Sequence, residues 1–341
     1  MLQTCSTPTA QTPQRQGVVV VSALFACLPA NQFVEIAMAY RFKLREPMER
    51  GFQRIANDQI DRAITHLTAV ADTSATSIHE TRKCLKRARA LLRFCRPNMD
   101  DDTFKLLNTQ LRDLGKTLSG RRDADVMLLT AQRLAQAGEI KPATQVRIER
   151  ALANAHPFPV PNATPSNDPG EQIVRLRMVR ELFANTELNT SATGLDTSGL
   201  ARSLAGCHEV FNEAFEGGDD AALHEWRKHV QLHWRHMQLV SPAWPEYCAA
   251  RIGEARTISA LIGEVRDLGM LASFATDTAA AKLTPATIRS IQAVVTPRQN
   301  ALKAEARLRG IRLLAEGAKG VSRRIECYWT AAAVLRRLEG G

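Results

Sequence analysis

The stretch "HETRK" at residues 79–83 returns as "HEWRK" at 224–228, 145 positions further on. Downstream of the first lies "LSGRRDADVML" (118–128), and downstream of the second "LIGEVRDLGML" (261–271). Arg122–Asp123 then correspond to Arg266–Asp267 at a spacing of 144. Two separate motif pairs sharing nearly one offset mark a chain written twice, so the fold must accommodate two similar units. Each unit is a basic helix followed by an "RD" helix.

The units read as helical. Aromatic residues make up only 5% of the chain against 45% hydrophobic, a balance that suits packed helices and argues against a strand-rich sandwich. From Glu46 to Leu152 helix follows helix, with short punctuation. "RPNMDDD" around Pro97 ends one helix and offers acidic caps to the next, and "QAGEIKP" (136–142) breaks another. Gly115 and Gly120 mark a helix boundary near "LSGRRD". The Pro-dense "HPFPVPNATPSNDPG" (156–170) cannot be helical, and a second polar stretch (185–199) follows one short helix. The expected division is a first repeat over 38–155, a linker with one short helix over 156–199, and a second repeat over 200–341.

Residues 1–37 stand apart. Positions 1–17 are Thr/Gln/Ser/Pro-rich, and the apolar run 18–29 is too short to span a bilayer. Three readings stay open: a start at Met38, a disordered tail, or a signal segment. Seven cysteines, an odd number without a C-x-x-C pair, give no disulfide framework or structural zinc site and fit a reducing cytoplasm.

Projection at about 100° per residue places His79, Arg82, Lys83, Lys86, Arg89, Arg93 and Arg96 on one arc. Cys84, Leu85, Ala88, Leu91, Leu92 and Cys95 take the opposite side. Ser77 and Glu80 match a capping box, with Ser74 as an alternative start, which leaves the cationic arc without an acid. Solvated helix faces alternate Glu with Lys to gain i,i+4 pairs. A face of one sign repels itself unless an anion sits on it. The second copy is weaker: His224, Arg227, Lys228 and Arg235 share a face, but Gln231 replaces Lys86 and Trp234 replaces Arg89. His229, His233 and His236 project to the apolar side and are read as structural rather than as metal ligands. Asp123 and Asp267 are read as arginine partners. No phosphate-binding loop, nucleophile elbow or acidic metal cluster appears, so neither catalysis nor a metal or cofactor is expected.

These residues resemble the CHAD family, the conserved-histidine alpha-helical domains. The opening "YRFKLREPMERGFQRIANDQIDRAITHL" (40–67) and the C-terminal "EARLRGIRLLAEGAKGVSRRIECYW" (305–329) are similar to it as well, so the resemblance covers roughly 40–341. It implies an all-α fold of two four-helix bundles with additional helices, related by a pseudo-twofold, with basic helices lining a shared channel. It also implies inorganic polyphosphate as ligand and association with polyphosphate granules and their proteins in the cytoplasm. The contact set carried over is His79, Arg82, Lys83, Lys86, Arg89, Arg93, His224, Arg227, Lys228 and Arg235. Arg54, Arg112, Lys116, Arg122, Arg266 and Lys319 are added from surrounding helices.

The formal charge of +10 agrees with an anionic partner but does not choose one. Polyphosphate offers no bases, so it needs cations at short spacing, and positions 79–93 supply them along about 20 Å of helix axis. A histidine beside a polyanion gains a proton more readily, so binding should tighten from about pH 7.5 to 6. The alternatives are a nucleic-acid-binding helical protein, or a scaffold docking on acidic partners. Few aromatics and no recognised helix-turn-helix argue against specific nucleic-acid binding; no membrane partner is expected.

Overall fold

Every regular element among the described residues is helical. The computed structural model describes residues 40–68, 75–118, 122–155, 169–190, 194–217, 220–277 and 282–339. The readings made for residues 1–37, for the body of the linker (156–168) and for Ser74 fall outside them. In chain order the helices are α1 (Met48–Thr68), α2 (Ala75–Cys95), α3 (Asp101–Thr117), α4 (Arg122–Gln136), α5 (Pro142–Ala155) and α6 (Pro169–Ala184). There follow α7 (Ser198–Glu209), α8 (Phe211–Glu216), α9 (Asp220–Leu239), α10 (Pro245–Thr276), α11 (Pro285–Leu313) and α12 (Ala318–Leu338).

The punctuation acts as its chemistry requires. After α2, the Arg96–Asn98 turn carries Pro97, and the Asp100 side chain accepts from the backbone N–H of Asp102 and Thr103 to cap α3. Gly138 takes φ +72° between α4 and α5, the left-handed conformation that glycine adopts without cost. The two repeats differ at the "RD" motif. The first breaks between α3 and α4, whereas α10 runs unbroken for 32 residues through Gly263 and Arg266.

Helices α1, α2, α3 and α6 close a ring: α1 packs on α2 and α6, and α3 packs on the same two. The 16-residue α6 therefore belongs to the core rather than to a linker, because Leu176, Val179 and Phe183 are fully buried. Its apolar side chains, each worth about 1.5–3 kcal/mol when removed from water, find no other cover. In the second half α9 packs on α7, α8 and α10, and α7 on α12. Each of the two buried clusters draws on both halves of the chain. The smaller joins Met127, Leu134 and Ile148 of α4 and α5 to Leu271, Phe274 and Ile291 of α10 and α11.

The two basic helices pack on one another. Ala90 and Phe94 of α2 are buried beside His236 of α9. The His236 Nε2 lies 2.9 Å from the Ala90 carbonyl, its Nδ1 lies 3.2 Å from the Gly199 carbonyl, and its ring stands edge-on to Phe94 at 5.3 Å. Only glycine fits at 199, because a Cβ there would overlap the Phe94 carbonyl. His236 thus ties α2, α7 and α9 together, the structural role expected of it. His233 is also buried, beside Ser203, and His229 lies against Gly206.

Candidate anion-binding site

The apolar arc of α2 is where the projection placed it: Cys84, Leu85, Ala88, Leu91, Leu92 and Cys95 are all buried. That burial turns the opposite arc outward. His79, Lys86 and Arg93 are exposed, and Arg82, Lys83 and Arg89 half-buried. The Arg82 Nη1 donates to the Gly115 carbonyl of α3 at 2.9 Å, which fixes the guanidinium across the helix pair. Arg89 donates to the Asn108 Oδ1 at 3.2 and 3.4 Å.

One expectation about this face needs correcting. Glu80 does not act as the N3 residue of a capping box, because α2 begins at Ala75 and Ser77 lies inside it. Instead the Lys83 Nζ pairs with Glu80 Oε1 at 2.6 Å, so the cationic arc does have an acid beside it. The pair is half-buried and of i,i+3 type, worth about 0.2–0.5 kcal/mol. A row of cations remains beyond it.

The second repeat reproduces these contacts at corresponding positions. The Arg227 Nε donates to the Ser259 carbonyl of α10 at 2.8 Å, as Arg82 does to Gly115. The Lys228 Nζ pairs with Glu225 Oε2 at 2.7 Å, as Lys83 does with Glu80. Gln231, standing where Lys86 is expected, donates to the Ser259 Oγ at 2.9 Å. Arg235 stacks over the Trp234 ring at 4.3 Å.

The electrostatics show where charge is uncompensated. Burial, then the neighbouring Arg93 and Arg112, push the Arg89 pKa down to about 10. Loss of hydration lowers Arg93 too, with Glu225 of α9 working against it. Burial pushes Arg235 down to about 10, Tyr40 opposing, with Arg87, Arg256 and Arg227 adding to the effect. All stay charged at neutral pH, in surroundings that disfavour the charge. Burial and the cations of Lys228, Arg266 and Arg227 hold His224 below the usual histidine range. Its Nδ1 is buried without a hydrogen-bond partner. His224 and Arg266 line a cleft with Asp123, Asp220 and Met127 at the junction of α4, α9 and α10.

The added residues disperse. Arg112 lies on α3, where its Nε donates to Asp113 at 3.0 Å; Lys116 is exposed one turn further on. Arg122 opens α4. Arg54 is held bidentately by Glu46 at 2.7 Å, so its charge is already answered inside the protein. Lys319 lies in a separate cleft with Arg202 and Arg323, between α7 and α12. Asp267 forms an ion pair with Arg133 at 3.9 Å, a link from α10 to α4. Two cations escaped the sequence reading: Arg87, on the edge of the α2 arc, and Arg256, 4.9 Å from the Trp234 ring. The repeat held a signal for the second, since Arg256 corresponds to Arg112 at the spacing of 144.

Among the described residues no group of three His, Cys, Asp or Glu is placed to hold a metal ion. No described helix is long and apolar enough to cross a membrane. The described cysteines are free thiols, with Cys84, Cys95, Cys207 and Cys248 buried and Cys327 exposed.

An all-helical fold in which two matched basic helices pack on one another defines the class, and the chain belongs to the CHAD domain family, whose model matches residues 54–276. The matched range, narrower than the 40–341 of the sequence resemblance, contains both histidine motifs and both "RD" motifs. The fold is similar to that of PptA from Streptomyces chartreusis, with a TM-score of 0.52 at 14% identity, covering 80% of this chain and 100% of that one. No curated protein matches the chain. Family membership supports a polyphosphate-associated role.

Proposed function

We propose that this protein binds inorganic polyphosphate through the basic faces of α2 and α9 and does no chemistry on it. Two repeats related by a pseudo-twofold would then line one channel for the polymer. The observation that carries this reading is the distribution of ion pairs. Several half-buried arginines away from these faces are answered by carboxylates: Arg54 by Glu46, Arg298 by Glu139 and Glu264, Arg309 by Glu254 and Glu305. Arg89, Arg93 and Arg235 have no carboxylate within ion-pair distance among the described residues. Arg89 and Arg235 are half-buried, and burying charge without a partner is costly; a flexible phosphate polymer is the counterion that removes the cost along a row of guanidiniums. Binding of this kind suits attachment to polyphosphate granules in the cytoplasm, alongside other granule proteins.

The test is equilibrium binding of long-chain polyphosphate at about 150 mM salt, where nonspecific phosphate contacts are already weakened. Duplex DNA serves as competitor and Arg82→Ala/Lys83→Ala/Lys86→Ala as the variant. Tight binding that DNA does not displace and the variant loses is the expected result. Equal competition by DNA, or full binding by the variant, overturns the proposal. A polyphosphate chain that shortens during incubation with magnesium would show an enzyme instead.

A further inference from the structure

The second repeat departs from the first where Trp234 replaces an arginine, and the structure gives that exchange a consequence. In the first repeat the positive charge of Arg112 disfavours that of Arg89. At the corresponding place Trp234 lies beside Arg256, and its ring carries two guanidiniums, Arg235 at 4.3 Å and Arg256 at 4.9 Å. Arg235 is further fixed by donating to the Gln231 carbonyl at 2.6 Å. From α2, Arg87 lies over the Tyr40 ring at 5.9 Å, and the Tyr40 hydroxyl donates to the Arg87 carbonyl at 3.0 Å. Arg235 and Arg256 both feel the positive charge of Arg87, and Arg235 that of Arg256. None of the three has a carboxylate within ion-pair distance among the described residues. Arg256 is exposed and the other two are half-buried.

Aromatic faces hold cations in place without neutralising them. A carboxylate would fix an arginine as well, but it would also consume its charge. We propose that Arg235 and Arg256 form a preassembled subsite for a condensed phosphate, with Trp234 as the positioning residue and Arg87 adding positive charge from α2. The subsite joins α9 and α10 at one aromatic ring, and it replaces the lysine that the second repeat lacks at Gln231. It rests on the polyphosphate reading above and adds Arg87 and Arg256 to the binding residues.

The experiment titrates the full chain with long-chain polyphosphate across a salt series, for wild type, Arg87→Gln, Arg256→Gln, Trp234→Leu and Trp234→Phe. Arg256→Gln and Arg87→Gln should each weaken binding about tenfold and reduce the salt slope by roughly one. Trp234→Leu should weaken it to a similar degree, and Trp234→Phe should restore most of the loss because a smaller aromatic face remains. Ligand-free Arg256→Gln should melt at or above the wild-type temperature, since a repelling cation has gone. Wild-type affinity and slope in both arginine variants, with binding still lost in Arg82→Ala/Lys83→Ala/Lys86→Ala, would overturn the subsite and leave the polyphosphate reading intact. A clear fall in the melting temperature of Arg256→Gln would also overturn it, by showing a structural arginine. Failure of wild type itself to prefer polyphosphate over DNA removes both readings.

Discussion

The Arg227 guanidinium lies across the backbone of Gly263, so close that a Cβ on residue 263 would stand 2.7 Å from its Nη2. The glycine is inside the unbroken α10, where it weakens the helix by about 1 kcal/mol relative to alanine. Gly263→Ala should therefore separate two properties. Calorimetry should find the protein at least as stable, while polyphosphate titration finds weaker binding, because the arginine tip must leave the position that its bond to the Ser259 carbonyl defines. A variant that binds as wild type would remove Arg227 from the binding set.

His224 gives a pH dependence of defined sign. In the ligand-free protein its pKa lies below the ordinary value, through burial and the cations around it. A bound polyanion adds negative charge and raises that pKa, so binding takes up a proton. Affinity should rise as pH falls through the bound-state pKa and level off below the ligand-free one, by at most about tenfold per pH unit between them. Titrations from about pH 8 to pH 6 should show this slope in wild type and a smaller one in His224→Gln. A flat wild-type profile would remove the histidine from the site.

His236 should control acid stability rather than binding. Burial outweighs the two carbonyls that favour the charged ring and pushes its pKa down to about 3. The unfolded chain then takes up a proton at a higher pH than the folded one does. Stability is therefore full above the unfolded value and is lost as pH falls from about 6.5 towards 3. His233, lowered in the same sense, adds to the loss. Chemical denaturation across that range should show a shallower pH slope for His236→Gln than for wild type. An unchanged slope would assign the acid sensitivity to other groups.

Much of this was legible in the sequence, and the failures share one cause. The apolar arc of α2, the Asp100 cap and the break at Gly138 depend on local spacing, and each stands where it was expected. Lys83 and Glu80 are three residues apart, but whether Glu80 caps the helix or pairs with the lysine depends on where α2 begins. Ala90 and Phe94 fall outside the expected apolar arc, because a helical projection knows its own axis but not that α9 covers a second side. Arg87 and Arg256 were missed for the same reason: their surroundings come from three helices distant in the chain. The place of α6 in the first ring was hidden by the proline-rich stretch before it, although Leu176, Val179 and Phe183 carry the spacing of a buried face.

Glu225 offers the opposite kind of test, since removing it should improve binding. Its carboxylate is 2.7 Å from the Lys228 Nζ and 3.8 Å from the His229 Nε2, and it also acts on Arg93 across the helix pair. Those cations hold its own pKa below the usual carboxylate range, the hydrogen bond from Lys228 contributing most, so it is ionised at neutral pH and competes with any incoming phosphate. Glu225→Gln keeps the shape and removes the charge. The exposed pair with Lys228 contributes only about 0.2–0.5 kcal/mol, so the melting temperature should barely move. The freed Lys228 and Arg93 should raise polyphosphate affinity about fivefold, the equivalent of roughly 1 kcal/mol for one unit charge at contact distance in water. Glu80→Gln, which frees Lys83 in the first repeat, should act in the same direction. The gain should shrink as salt rises, because the effect is Coulombic. Weaker binding in Glu225→Gln would mean that the carboxylate positions Lys228 for the ligand and does not compete with it.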